Sequence, residues 1–457
     1  MNYSKMMECI SKLAAKKNLK LDGTSVSGTM QAAIELWELM YRDKSPWVDE
    51  KEIQSAGLAA AVSAELSRLV TLEMKSEVTG SPRADYINGI YKTLLNGLRE
   101  AVEYGCAKGT LVFKPYLAGD KIVVQCCQAD CFFPISFDSN KNILQCAFTE
   151  QISKGREIFT RVELHSLENG KVIVRNYAYM SRTGTNLGTE VSLESIDQWK
   201  DIAPEAILEG TDRLLIGVFK VPLANTVDID SPLGVSVFGR AVPRIKMADK
   251  RWSQIDWEYD SKETAIHLAT TLLKYDKTND RFEYPAGRKR LYRTVEYNTG
   301  AADKPFIEPF SPDIRDESYY HGLNQLLRRI EFDCCLAYGT LSDAQNVDKT
   351  AEEIKASKQR SYAAVTDIQQ ALQRALEDTV DAINYWVSIG RLVEEGNYSV
   401  SFEWSDSILA DEAEERAQDR QDVSMGALPL YMYRMKWYGE DEATAKKNIV
   451  QETEVME

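Results

Sequence analysis

From Thr340 to Ile389 the chain contains neither glycine nor proline. Within that stretch Val365, Ile368, Leu372, Leu376, Val380, Ile383 and Val387 recur at steps of three and four, the repeat of a single helix face. A helix from Thr350 to Ile389 would run roughly 60 Å at about 1.5 Å per residue. A helix of that length in a soluble protein usually belongs to an assembly or a coiled coil.

Two further helices precede it. Ile245, Ala248, Trp252, Ile255 and Tyr259, with Ile266 and Leu273 roughly in phase, predict one over 235–273. Leu323, Leu327, Ile330, Cys334 and Ala337 predict another over 313–339, with Gly339 as its stop. Between them Pro285, Pro305, Pro309 and Pro312, with Gly287 and Gly300, exclude one continuous helix. A small irregular α/β insertion is expected there, over 275–312.

The first hundred residues also read as helical. Met30, Ile34, Trp37 and Tyr41 form one stripe, and Leu58, Val62, Leu66 and Leu69 a second. Ile87, Tyr91, Leu94, Leu98 and Val102 form a third, with Gly105 as its expected end. Residues 21–29 read as a loop. From about 110 to 222 short β-rich runs alternate with turns such as Ala118-Gly119-Asp120 and Glu168-Asn169-Gly170, which predicts an antiparallel meander. The tail, 391–457, opens on the strand-like SVSFEW. It carries 16 acidic and 7 basic residues and has room for two helical patches. The fold class expected is therefore α+β.

At 457 residues the chain exceeds one compact core, and two to four domains are expected. Its 44% apolar and 27% charged residues exclude wholesale disorder. No apolar run is long enough to span a membrane, and Met1-Asn2-Tyr3-Ser4-Lys5 opens no signal peptide. With 70 acidic and 55 basic side chains the net charge is −15. That argues against a sequence-reading DNA-binding domain, though not against a protein that lets DNA pass. The adjacent pairs Cys126/Cys127 and Cys334/Cys335 suit disulfides poorly. Free thiols in a reducing cytoplasm are expected.

Signs of catalysis are sparse. Of the three histidines, His267 and His321 fall in helical stretches with polar neighbours and read as solvated. His165 shares a strand face with Glu163, either as an acid–base couple or as a structural pair. Cys127, Cys131, Cys146 and His165 lack the spacing of a zinc site. No phosphate-binding loop, dinucleotide fingerprint or nucleophile elbow occurs. No metal or cofactor is expected. Two basic clusters stand out: Arg288, Lys289, Arg290 and Arg293 around Tyr292, and Arg240, Arg244, Lys250 and Arg251. Each is a candidate phosphate contact or an ordinary ion-paired surface. Asp406, Asp411 and Glu412 are the carboxylates that a magnesium-dependent nuclease would use, but they lie in an acid-rich tail. A non-enzymatic helical adaptor or scaffold is a further alternative.

The order of these elements, with several local motifs, resembles the portal proteins of long-tailed double-stranded DNA phages, in the branch found in phages and prophages of Gram-positive bacteria. Trp37 and Trp47 are similar to that branch's N-terminal aromatic pair. CFFPISFDSNKNILQCAF resembles its FFP segment, with Asn142 where glycine is usual, and FTRVELHSL resembles its YT..E.H strand. LANTVDIDSPLGVSVFGRA, with Ser231, Pro232, Leu233 and Gly234, resembles its Ser-Pro-Leu-Gly segment. Asp230 or Ser231 would cap the helix that follows, with Pro232 in its first turn. Thr350, Ala351 and Glu353 match the opening of the family's longest helix, with Glu352 replacing a second threonine. Thr350 and Glu353 also have capping-box spacing.

The resemblance implies a portal-like fold and a ring of about twelve subunits around an axial channel at one capsid vertex. In that scheme 1–230 is the wing, 231–274 and 313–339 the stem helices, and 275–312 the clip. Residues 340–348, with Asp343 and Asp348, form the channel loop, 349–390 the long wing helix and 391–457 the crown and tail. The implied partners are copies of itself, the terminase large subunit, the major capsid and scaffolding proteins, a head–tail adaptor and double-stranded DNA in transit. The protein would assemble in the host cytoplasm and reside in the virion, without catalysing a reaction.

Overall fold

The computed structural model describes residues 1–17, 26–49, 52–262, 313–343, 351–404 and 412–455, and five short strands between 265 and 310. Five helices open the chain: α1 (Tyr3–Lys16), α2 (Gly28–Tyr41), α3 (Leu58–Thr71), α4 (Pro82–Asn96) and α5 (Leu98–Lys108). The side-chain oxygens of Asn2, Ser27 and Ser81 cap α1, α2 and α4, each satisfying a backbone donor the helix leaves open. The run expected to end at Gly105 breaks at Gly97 into α4 and α5, and α5 continues to Lys108, where Gly109 (φ +82°) stops it in the left-handed region. Gly105 instead makes room for the Phe219 ring, which would lie 2.9 Å from an added β-carbon. A strand missed in the sequence, β1 (Lys75–Thr79), sits between α3 and α4.

The β-rich region is the expected antiparallel meander, split into two sheets. β2 (Thr110–Ala118) and β3 (Lys121–Gln128) form a hairpin. β4 (Phe132–Phe137), β5 (Ile143–Lys154), β6 (Glu157–Glu168) and β7 (Lys171–Ser181) follow in order as neighbours. β8 (Thr189–Val191) and β9 (Glu205–Glu209) share the free edge of β7. β10 (Gly217–Lys220) returns to β2 and completes a three-stranded sheet.

Residues 231–238 then depart from expectation. No helix begins at Ser231; the Ser231 hydroxyl accepts instead from the Leu233 N–H at 3.2 Å. The segment is buried and threads past the end of α5. Val237 N–H donates to Cys106 O at 3.0 Å, and Gly234 N–H to Thr110 Oγ1 at 2.9 Å. A β-carbon on Gly234 would lie 2.2 Å from Gly109 O, and one on Gly109 would lie 2.5 Å from Gly234 O. The Ser-Pro-Leu-Gly segment therefore serves a backbone crossing that only two glycines allow, and does not start a helix.

The first long helix is accordingly shorter than expected: α6 spans Val242–Ser261, with Pro243 in its first turn. Ile266 and His267, placed on that helix by periodicity, lie in β11 (Ala265–Ala269). β11 pairs in parallel with β14 (Tyr292–Val295) and antiparallel with β15 (Ile307–Phe310). β12 (Lys274–Asp276) and β13 (Arg281–Glu283) form a separate hairpin. The described part of the insertion is thus strand, and it begins about ten residues before 275.

α7 (Asp316–Asp333) ends at Cys334 rather than Gly339, because Cys335 takes a positive φ of 57°. α8 (Ala351–Ile389) runs 39 residues, about 58 Å. All seven residues of its predicted stripe are buried, each contributing on the order of 1.5–3 kcal/mol. They face β2, β10, α3 and α4. Thr350 lies outside the described residues; Ala351 opens the helix and Glu353 is in its first turn. β16 (Ser399–Glu403), the expected SVSFEW strand, pairs antiparallel with β1. The tail ends in three helices rather than two: α9 (Glu412–Ser424), α10 (Leu430–Tyr438) and α11 (Glu442–Val455). Among the described residues no helix is long and apolar enough to cross a membrane.

Candidate functional site

α6 and α7 lie side by side in opposite directions, with ion pairs at both ends. At one end Arg244 of α6 pairs with Asp333 of α7, and Arg329 approaches the same carboxylate at 3.7 Å. At the other end the Arg315 guanidinium forks onto Glu258 at 3.0 and 3.2 Å, and its backbone N–H adds a third donor at 3.3 Å. Tyr259 donates to Asp316 across the same gap. The strands 265–310 leave from this second end.

The first end leads into a turn held by one carboxylate. Glu331 is fully buried. Its Oε1 accepts the N–H groups of Gly339, Leu341 and Ser342 at 3.1, 2.6 and 2.8 Å, and its Oε2 accepts the Ser342 hydroxyl at 2.9 Å. Asp343 N–H donates to Asn324 Oδ1 at 2.8 Å, and Tyr338 N–H to Ser357 Oγ of α8 at 2.7 Å. Charge-assisted bonds of this kind are about twice as strong as neutral ones, so the chain after α7 is fixed up to Asp343.

α6 is docked on the segment between α2 and α3. Asp249 is buried and accepts Trp47 Nε1–H at 2.8 Å and Ala56 N–H at 2.9 Å. Burial raises its pKa, and these two hydrogen bonds partly offset the rise. Trp37 lies in the core against Gly239, just before α6 begins.

The pair exposes several aromatic side chains, on more than one face. Trp252, Trp257 and Tyr259 of α6 and Tyr320 and Phe332 of α7 are exposed, Trp257 at 65%. An open groove of about 830 Å³ runs between Trp252, Tyr320, His321, Leu327, Leu341 and Asp343. Glu317, Ser318 and Asn324 also line this groove, so its wall is part polar.

The expected site residues divide. Arg244 is tied to Asp333, while Arg240 is exposed and reaches only Ala224 O at 3.4 Å. Asp343 is exposed at the end of the anchored turn. Arg293 lies in β14 opposite His267 of β11. Arg288, Lys289, Arg290, Asp348, Asp406 and Asp411 lie outside the described residues. The sequence reading missed Glu258, Glu331 and Asp249. Each sits one place from a stripe residue (Tyr259, Ile330, Ala248), and a carboxylate so close to a buried face was the available signal.

Glu163 and His165 do meet, at 2.7 Å. Glu163 also takes Lys114 at 2.7 Å and Arg161 at 2.8 Å, all in a buried cluster between the sheets. Burial pushes the Glu163 pKa up, but Lys114, His165 and Arg161 outweigh it and hold the carboxyl well below its usual range. A carboxylate so held is a weak base, so the couple is structural. All eight cysteines are free thiols. Among the described residues no three His, Cys, Asp or Glu side chains gather as a metal site would require.

The Arg315 fork, offset in part by desolvation, lowers the Glu258 pKa. Its stabilising contribution is intact above the ordinary glutamate range and is lost as pH falls through the lowered value. Amide protection factors, corrected for the intrinsic exchange rate, are therefore expected to fall at residues 258–262 and 313–319 on acidification. Glu258→Gln should show the faster exchange already at neutral pH. An acid response unchanged by that substitution would show that another group governs this end.

No protein-family model matches the sequence, and no curated protein matches it. Among solved structures, the chain is similar to one described as "Neck of native GTA particle computed with C12 symmetry". The two share 12% identity, with 90% of this chain and 94% of that one covered and a TM-score of 0.43.

Proposed function

We propose that this chain is the ring-forming portal subunit of a long-tailed double-stranded DNA phage, of the branch found in phages and prophages of Gram-positive bacteria. The observation that carries the reading is the α6–α7 pair. It is tied at both ends by ion pairs, it exposes aromatic side chains along its length, and it emits a small β unit at one end and an anchored turn at the other. A stiff two-helix strut with exposed aromatic side chains suits side-by-side closure into a ring.

In this reading α6 and α7 are the stem and the strands 265–310 the clip that meets the terminase large subunit and later the head–tail adaptor. Residues 340–348 form the channel loop, α8 returns to the wing, and 391–457 is the crown and tail beside capsid and scaffolding proteins. The protein guides DNA during packaging and ejection and catalyses nothing. The net charge of −15 favours this, since an acidic ring repels phosphates and lets DNA slide. Arg288, Lys289, Arg290 and Arg293 would be the clip's contacts to the motor.

The test is mass photometry with negative-stain microscopy on the purified chain. Closed rings of about twelve subunits with a central hole are expected. The double variant Trp252→Ser/Trp257→Ser is expected to shift the population to monomer while remaining folded. A wild-type monomer at every concentration and salt tried would refute the reading.

A further inference from the structure

Phe332, near the end of α7, is 41% exposed and carries two guanidiniums. Arg329 sits over its ring at 4.7 Å from the centroid, and Arg360 of α8 at 4.5 Å. Arg360 also stands over Tyr338, at 5.3 Å. A guanidinium stacked on a ring keeps its N–H donors in its own plane, where they can point past the ring edge. Those donors are little used. Arg360 donates only through Nη2, to Leu336 O at 3.4 Å, and its Nε–H meets no acceptor among the described residues. Arg329 is 54% exposed and reaches only Asp333, at 3.7 Å, a carboxylate already held by Arg244. Arg240, just before α6, is exposed and makes one long bond, to Ala224 O at 3.4 Å. Among the described residues neither Arg240 nor Arg360 has a carboxylate partner.

These cations gather at one place. Burial raises the Cys335 pKa, while Arg360 and Arg240 oppose the rise and Asp333 and Asp367 add to it, so both guanidiniums stand near that one thiol. Arg240, Arg244, Arg329 and Arg360 against Asp333 and Asp367 leave a surplus of two positive charges, in a chain whose net is −15. A carboxylate would bring one negative charge and two oxygens. A phosphate dianion, or two successive phosphates of a backbone, brings the charge that is missing and more acceptors, so that more than one guanidinium can fork onto it.

We propose that Arg240, Arg329 and Arg360 form a phosphate-binding site beside Phe332, filled by a free phosphate ion or by the phosphates of a nucleic-acid backbone. Phe332 and Tyr338 hold the Arg360 plane in place, and Asp333 keeps Arg244 out of the site. The site stands on the packing of α6, α7 and α8 and does not require a ring.

The test is phenylglyoxal footprinting of the full-length protein, read by mass spectrometry at each arginine. Exposed Arg182 and buried Arg83 are the internal references. Arg182 should react with or without ligand, and Arg83 should not react. Sodium phosphate and a mixed-sequence DNA duplex of about 20 base pairs, at equal phosphate concentration, are each compared with sodium acetate and sodium chloride at matched ionic strength. Arg240 and Arg329 are expected to react freely in acetate and chloride and to be protected by both phosphate sources. Protection at lower concentration by the duplex would assign the site to a nucleic-acid backbone, and at lower concentration by the ion to free phosphate. Arg360→Lys keeps the charge but loses the planar fork, and should raise the half-protecting concentration about tenfold. Protection by neither source, equal protection in acetate or chloride, or an unchanged half-protecting concentration in the variant would overturn the proposal. Mass photometry of the same samples reports ring assembly independently, so failure here and failure of the portal reading are distinguishable.

Discussion

Gly217→Ala is expected to separate the long helix α8 from the sheet beneath it. A β-carbon on Gly217 would lie 2.1 Å from Ala375 O and 2.1 Å from Thr379 Oγ1. Neither can yield easily. Ala375 O belongs to the helix backbone and already accepts the Thr379 hydroxyl at 2.6 Å, and Thr379 is fully buried. Relief requires α8 to move away from β10, which would break the packing of Leu372, Leu376 and Val380. Overpacking ordinarily costs about 1–3 kcal/mol; with a helix displaced, a loss of about 3 kcal/mol or more is expected. Denaturant titration with near-UV circular dichroism would measure it. Gly89→Ala is the control, since that glycine is exposed within α4 and an added β-carbon meets nothing within 4 Å. It should be neutral or stabilising by up to about 1 kcal/mol. Equal stability of the two variants would show that β10 and α8 are not in the contact described.

The second large effect is expected at Lys108. Its side chain is 1% exposed, and its ammonium meets Glu38, Asp130 at 2.9 Å and Gln128 Oε1 at 2.6 Å. It closes α5 against α2 and the turn before β4. Lys108→Ala removes the cation the two carboxylates share, leaving Glu38 with Arg42 alone and Asp130 without an ion pair among the described residues. Breaking a buried pair costs about 3–5 kcal/mol, and because Glu38 and Asp130 are partly exposed the lower end is expected. Combining Lys108→Met with Glu38→Gln and Asp130→Asn should recover much of the loss, because the one charge that loses its partner, Arg42, is solvent-exposed. A Lys108→Ala protein within about 0.5 kcal/mol of wild type would mean that water already serves these groups.

Much of the fold was legible where the physical signal is local. The α8 stripe from Val365 to Val387 is buried as its spacing predicts, the meander β4–β7 lies where periodicity places it, and α7 does so up to its early end at Cys334. The misreadings share one cause. Ile266 kept helical phase with Tyr259, but hydrogen bonds to β14 and β15, which come later in the chain, make it strand. Ser231-Pro232 read as a helix start, but contact with Gly109 and Thr110 holds it extended. β1 was invisible because its partner β16 lies more than 300 residues away, from Lys75 to Glu403.

The same division holds for the candidate site. That two amphipathic helices flank an irregular insertion and precede a very long helix follows from residue spacing alone, because helix formation depends on neighbours three and four places apart. The absence of the common catalytic motifs is likewise a matter of sequence. Only the tertiary structure showed that Arg244 is spent on Asp333 while Arg240 remains exposed, that Glu331 anchors the turn after α7, and that Trp257 lies exposed on α6. Those facts depend on which surfaces meet in space. A charged or apolar side chain looks the same in sequence whether a distant segment pairs with it, buries it or leaves it for another molecule.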